Sequence, residues 1–268
     1  MKLLVTGGAG YLGSEVCRIA LERGWDVVAT QLRTRPPFGR PVRLDVRDDD
    51  ETARVFRRHR PDAVIHTAYR LRGPEMESAI VQGSSSVALN ADRVGARLVH
   101  LSTDAVFDGE HGAPYPEAAE PRPVTAYGAA KLRAEELVRS AHGHALVVRT
   151  SLLYGKPEPG PQEQLALRDV EFYVDEIRCP TIVSELAAAL LELLDLDPAG
   201  PLHVAAPEAV SRYEFARLLR AARGADPETV RGAPAPQPGR ARNVALDSSR
   251  AHALLSTRFR GARTALDS

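Results

Sequence analysis

The first 155 residues divide into short, nearly continuous apolar runs separated by segments whose apolar positions recur with helical spacing. The runs at 2–6, 26–30, 42–45, 63–66, 97–102 and 145–150 have the length and β-branched content of buried strands. Between them, 11–23 carries an apolar stripe of Leu12, Val16, Ile19 and Ala20, and 49–58, 76–94 and 125–141 also fit helices. Gly24 and Pro61 are stop signals, and Asp48 or Asp49 is an entry cap. Strands that lack in–out alternation are covered on both faces, so the pattern predicts an α/β fold with a doubly wound parallel sheet.

After Gly155 the pattern loosens. The stretch 156–162 is Pro-rich and predicts irregular chain; helices follow at 183–196 and 211–223, then a second Pro/Gly stretch at 232–240. The expected organisation is a nucleotide-binding domain over 1–155 and a small, loop-rich substrate region over 156–268. Within the latter, helix 183–196 packs back on the sheet. Arg258 to Arg263 reads as a frayed tail, and the last dozen residues receive no element.

Composition narrows the function classes. With 44% hydrophobic residues in 268 the chain can bury a sizeable core. Its 35 basic and 35 acidic residues cancel, so no global field draws nucleic acid or an anionic membrane; the cluster Arg57, Arg58, His59, Arg60 reads as the end of a solvated helix. Cys17 and Cys179 suit neither a disulfide framework nor a zinc site, and the histidines show no metal-ligand spacing, so no metal is expected. The opening MKLLVTGG is too short for a signal peptide, and the apolar stretch 186–196 is broken by Glu192 and Asp195, which predicts a cytoplasmic protein.

Three constellations carry chemistry. The first, Thr6-Gly7-Gly8-Ala9-Gly10-Tyr11-Leu12-Gly13, lies between the first predicted strand and the first helix. Glycines at this spacing permit a tight turn, close approach of backbone to a pyrophosphate, and helix–strand packing, the Rossmann dinucleotide arrangement. The second predicted strand exits through Gln31, Leu32, Arg33, Thr34 and Arg35, with no carboxylate for a ribose 2′-hydroxyl. Arginines there suit a 2′-phosphate, so the expected cofactor is NADPH, with NADH as the alternative. Asp45 is either an acceptor for an adenine amino group or a cap for helix 49–58.

The second constellation is Tyr127 and Lys131, one turn apart on a predicted helix, where a nearby ammonium favours phenolate and tunes a proton donor. The chain has three lysines (Lys2, Lys131 and Lys156) against 32 arginines, which makes this lysine informative. The third is Ser102-Thr103-Asp104 at the carboxyl end of the fifth strand, where open α/β sheets place ligands and a hydroxyl can stabilise an oxyanion. His100, Ser102 and Asp104 are too closely spaced for a hydrolase relay, and a nucleophile elbow is absent.

In this order these pieces resemble the extended short-chain dehydrogenase/reductase superfamily, and within it the dTDP-4-dehydrorhamnose reductase group. The resemblance runs through TGGAGYLG (6–13), LDVRD (44–48), RPDAVIHTA (60–68), STDAVFDG (102–109), YGAAK (127–131), VVRTSLLYG (147–155), DEIRCPT (175–181) and LHVAAPEAVSRYEFARLL (202–219). It implies reduction of a nucleotide-linked keto sugar. Thr103 would bind the carbonyl, Tyr127 would donate the proton, and Lys131 would hold the nicotinamide ribose. Gly7, Gly10 and Gly13 would cradle the pyrophosphate, Asp45 would meet adenine and Ala68 would line the cofactor's path, with Tyr11, Leu12, Arg33 and Val46 as further cofactor-binding residues. Ser102, Asp104 and Arg178 would stand around the substrate.

The chain departs from the group's pattern at Ala105, where the group has Tyr, at Ile80, where Asn commonly precedes Gly83 by three, and in the shortened segment between Gly155 and Asp175. The alternatives are a nucleotide-sugar epimerase or other small-carbonyl oxidoreductase, and a non-catalytic dinucleotide-binding regulatory subunit. A homodimer through helices 76–94 and 125–141 is a further expectation.

Overall fold

A computed structural model describes residues 1–236 and 239–267. In chain order its elements are β1 (Lys2–Thr6), α1 (Tyr11–Glu22), β2 (Asp26–Gln31), β3 (Arg40–Arg43), α2 (Asp49–His59), β4 (Ala63–His66), α3 (Met76–Val94), β5 (Arg97–Thr103), α4 (Ala126–Ala141) and β6 (Leu146–Thr150). They continue with β7 (Leu153–Tyr154), α5 (Pro161–Ala166), β8 (Glu171–Tyr173), β9 (Ile177–Arg178), β10 (Thr181–Ile182), α6 (Val183–Leu196), β11 (Gly200–His203), β12 (Val210–Ser211), α7 (Arg212–Ala222), β13 (Arg231–Ala233), α8 (Ser249–Leu254) and α9 (Ala262–Leu266).

One seven-stranded sheet runs in the order β3-β2-β1-β4-β5-β6-β11. The pairs β1–β2, β1–β4, β2–β3 and β4–β5 are parallel, as the near-continuous apolar strands require. The order reverses between β1 and β4, and in a sheet of this kind the crevice at such a switch point, beyond the carboxyl ends of the strands, receives the ligand. Register sets Thr6 beside His66 and His66 beside His100, so three polar side chains form one row across β1, β4 and β5.

The chain forms two compact units. The first comprises 1–102, 129–148 and 187–201; the second comprises 103–128, 149–186 and 202–268. A core of Leu4, Val28, Phe56, Val64, Val87, Leu98, Val138 and Val147 holds the first. In the second, Tyr154, Phe172, Ile182, Phe215, Leu219 and Ala262 pack together, with the Tyr154 and Phe215 rings edge to face at 5.2 Å.

Local chemistry explains the helix ends. Asp48 caps α2 by accepting from the Glu51 amide at 2.8 Å, and acids fill the first turn and bases the last, matching the helix dipole. The basic cluster thus closes α2, whose C-cap Arg60 adopts a left-handed φ of 40° just before Pro61. Thr125 caps α4 through the Gly128 amide at 3.0 Å.

Three expectations change. The third strand is Arg40–Arg43 rather than 42–45, because Leu44 makes the last hydrogen bond to β2 (2.9 Å to Gln31 O) and the chain then turns, burying Leu44 and Val46. The sheet also has a seventh strand, β11, absent from the sequence reading because its GPLH carries too little apolar signal. The tail is ordered: α9 buries Ala262 while Arg263 bridges Glu208 and Glu214, each at 2.5 Å, and Arg260 binds Glu185 at 2.6 Å. The stretch 156–162 is irregular until α5 begins at Pro161. Of the stretch 232–240, residues 237 and 238 lie outside the described residues.

Phe56 is fully buried at the centre of the first unit's core. Phe56→Ala is expected to cost about 3–5 kcal/mol of stability in urea unfolding, the usual loss for deleting a buried phenyl group; a loss below about 1 kcal/mol would contradict this packing.

Candidate active site

The glycine turn after β1 forms one wall of a cleft of about 380 Å³ in the first unit. Close packing explains why the turn needs glycine: a Cβ at Gly13 would lie 2.3 Å from the Gly7 carbonyl oxygen and 2.8 Å from Thr67 Oγ1. Gly10 caps α1 without a side chain, and the helix has no acid in its first turn, so its positive end is not neutralised from within.

Gly7, Ala9 and Gly10 line the cleft with Gln31, Arg33, Asp45, Val46 and Ala68, gathering most of the expected cofactor residues. Leu12 is buried in α1 instead, and Tyr11 and Gly13 stand on α1 outside the lining. Arg35 also lies outside it.

Arg47, Thr67, Tyr69 and Arg70 also line it and were not expected. Asp45 does not cap α2; Asp48 does. The Asp45 carboxylate instead takes Arg47 at 2.6 Å, and the Arg47 hydrogen bond holds it below the usual carboxylate range. Arg47 continues to Glu75 at 2.7 Å, and Arg70 reaches the same carboxylate at 3.2 Å. Among the described residues Arg33 makes no ion pair, which leaves it exposed and available to an anion at the rim.

The residues present fit a dinucleotide. The glycine turn leaves the space that a side chain would fill, and Gln31 Oε1 is buried without a partner where a ribose hydroxyl donor would satisfy it.

The second part of the candidate site is built on β5 and α4. Lys131 is 5% exposed and donates to the Leu101 carbonyl at 2.9 Å. Burial lowers its pKa from 10.5 to about 8, opposed by the nearby Glu135 carboxylate. Tyr127 lies one turn before it on α4 and is half-buried. The start of α4 presses on the turn after β5, since a Cβ at Gly128 would meet the Ala105 carbonyl oxygen at 2.1 Å. Two close contacts, Lys131 to Leu101 and Gly128 to Ala105, therefore fix this helix against the strand end.

The hydroxyls of the strand end diverge. Ser102 Oγ donates to Glu135 on α4. Thr103 Oγ1 donates to Asp104 Oδ1 at 3.2 Å and accepts from the Ala105 amide at 3.2 Å. Asp104 is buried, which raises its pKa, and it accepts from Ser151 Oγ at 2.6 Å with Arg178 Nε at 3.7 Å. Arg178 is itself buried and pairs with Glu176 at 3.0 Å. Ser151 and Glu176 lie within the VVRTSLLYG and DEIRCPT stretches, but only the fold reveals their contacts with Asp104 and Arg178. Among the described residues no group of three or more His, Cys, Asp or Glu could hold a metal ion, and no helix is long and apolar enough to cross a membrane.

The family model for the RmlD substrate binding domain matches residues 1–268. The chain belongs to this family. It is 35% identical to a dTDP-4-dehydrorhamnose reductase of Mycobacterium tuberculosis over 99% of this chain and 91% of that one. It superposes on a hypothetical dTDP-4-dehydrorhamnose reductase from Sulfolobus tokodaii with a TM-score of 0.84 at 27% identity, covering 96% of each. A Bacillus anthracis dTDP-4-dehydrorhamnose reductase, solved in complex with NADP, shares the fold with a TM-score of 0.85 at 23% identity, over 99% of this chain and 97% of that one.

Burial, reinforced by the Lys131 charge, pushes His66 down to about 3 and His100 well below its ordinary value, so both are neutral in the folded protein. His66 is bonded to Thr6 at 2.6 Å and Ser84 at 3.1 Å, whereas both ring nitrogens of His100 lack partners. Above pH 6.5 neither state of the protein protonates these rings; below it, the unfolded chain binds protons that the native one refuses, and stability falls. His100→Leu is expected to flatten this acid loss by about 1.2 kcal/mol between pH 6 and pH 5 in urea unfolding. An unchanged slope would show that His100 is not held neutral.

Proposed function

We propose that this protein is an NADPH-dependent reductase of a nucleotide-linked 4-keto-6-deoxy sugar, with Tyr127 as the proton donor. The observation that carries the reading is the buried Lys131 ammonium, tied to the Leu101 carbonyl on β5 and one helical turn from the Tyr127 phenol. The names of the relatives in the family support the substrate class, and the NADP complex of one relative supports the cofactor.

Gly7 and Gly10 with the start of α1, brought close by Gly13, would hold the pyrophosphate, Asp45, Val46 and Ala68 would flank the adenosine half, and Arg33 would take the 2′-phosphate. Lys131 would hold the nicotinamide ribose. Thr103 turns its hydroxyl from Asp104 to the substrate carbonyl, while Asp104 stays fixed by Ser151 and Arg178. A reduced nicotinamide bound there would supply the hydride for the keto carbon. As negative charge grows on the carbonyl oxygen, Tyr127 passes its phenolic proton to that oxygen, and the Lys131 charge stabilises the phenolate left behind.

Residues 1–155 carry the cofactor site together with Thr103 and Tyr127, and 156–268 supply the remaining substrate region. The protein acts in the cytoplasm, pairs as a homodimer through α3 and α4, and binds no nucleic acid. Gln31 at the end of β2 favours this reading over an epimerase, which retains NAD and gains from a carboxylate there.

Purified protein supplied with NADPH and a dTDP-linked 4-keto-6-deoxyhexose is expected to oxidise the cofactor. Tyr127→Phe should lower turnover about a hundredfold or more while leaving NADPH affinity nearly unchanged; full turnover in that variant would remove the mechanism. Arg33→Ala should weaken NADPH about tenfold or more and leave NADH unaffected, with Arg35→Ala as the silent control. Equal losses for the two cofactors would assign Arg33 another role.

A further inference from the structure

Tyr69 is 53% exposed, a large aromatic side chain on the short connection after β4. Its loop is pinned: Thr67 Oγ1 donates to the Thr6 carbonyl at 2.7 Å, and the Ala68 amide donates to Thr6 Oγ1 at 3.2 Å. Tyr69 lines the cofactor cleft, and its ring centroid lies 5.2 Å from Lys131 Nζ. The negative face of an aromatic ring attracts an ammonium at this range, more strongly where water is excluded, and Lys131 is buried.

We infer that Tyr69 is a positioning residue for Lys131, its ring face and the Leu101 carbonyl together fixing the ammonium beside the cofactor cleft. The other titratable groups near this amine contribute little or unequally. His66 on β4 and His100 on β5 are neutral, and Glu135, one turn further along α4, is hydrogen-bonded by Ser102. Tyr127 lies one turn earlier on the same helix. A ring face can be replaced by an aliphatic side chain of similar bulk that keeps water out yet offers no quadrupole, so the electrostatic and covering roles of Tyr69 are separable. The proposal rests on the reading of Lys131 as the cofactor-side cation, but its test reads Lys131 directly and needs no turnover.

The chain contains only three lysines, so [13Cε]lysine-labelled full-length protein gives few signals, and Lys131→Arg assigns the one of interest. Its titration midpoint is compared in the wild type and in the Tyr69→Phe, Tyr69→Leu and Tyr69→Trp variants. Phe retains the ring and should hold the midpoint within about 0.2 unit; Leu should lower it by about 0.5–1 unit, the shift expected from losing a cation–π contact. Trp, with the strongest ring face, should keep it at or above the wild-type value, a comparison that stands even if the Leu variant folds poorly. An unchanged midpoint in Leu, a fall in Phe equal to that in Leu, or a fall in Trp would overturn the proposal. If the proposal holds but Tyr127→Phe retains full turnover, the catalytic reading fails independently.

Discussion

A buried ammonium is the constraint around which the rest of the candidate site is organised. Placing the Lys131 charge away from water is unfavourable, and its lowered pKa records that cost. The carbonyl of Leu101, the ring of Tyr69 and the carboxylate of Glu135 each offset part of it. Partners drawn from β5, from the connection after β4 and from α4 must therefore hold their places for the lysine to remain charged.

Missing side chains make this geometry possible. At Gly13 a methyl group would collide with the backbone that turns after β1, and at Gly128 one would collide with the turn after β5. Each glycine lets a helix start closer to the end of a strand than any other residue permits. Helix starts brought to strand ends create the concave, donor-rich surfaces that anionic cofactors occupy. The same economy of space leaves Gln31 Oε1 and the His100 ring without partners, the first inside the cleft and the second buried on β5. A ligand can satisfy the first; the second confers acid sensitivity.

Charge in the second unit follows a different logic. Arg178 spans Asp104 and Glu176, Arg240 adds a second cation to Glu176 at 3.0 Å, and Ser151 fixes Asp104. Such a network is satisfied internally, so its members hold one another in position. Breaking one pair would leave a buried charge unmatched. Thr103 hangs from this network through Asp104, which makes it a hydroxyl on a rigid mount.

The residue pattern alone determined the parallel sheet, its first six strands and the principal helices, because near-continuous apolar runs and helical stripes are local signals. It also determined the glycine turn and the Tyr127/Lys131 pair, since both depend on fixed spacing within one turn or one helix. Tertiary structure decided what local spacing cannot encode. Asp45 turned to Arg47 because the chain leaves the sheet at Leu44, and Ser102 turned to Glu135 because α4 crosses the end of β5. Arg47 and Tyr69 joined the cleft of the first unit from separate segments, Ser151 and Glu176 joined the Asp104–Arg178 network of the second, and Glu185, Glu208 and Glu214 meet the arginines of the tail. Long-range pairing of charge and burial, settled only when distant segments meet, leaves no periodic trace in the sequence.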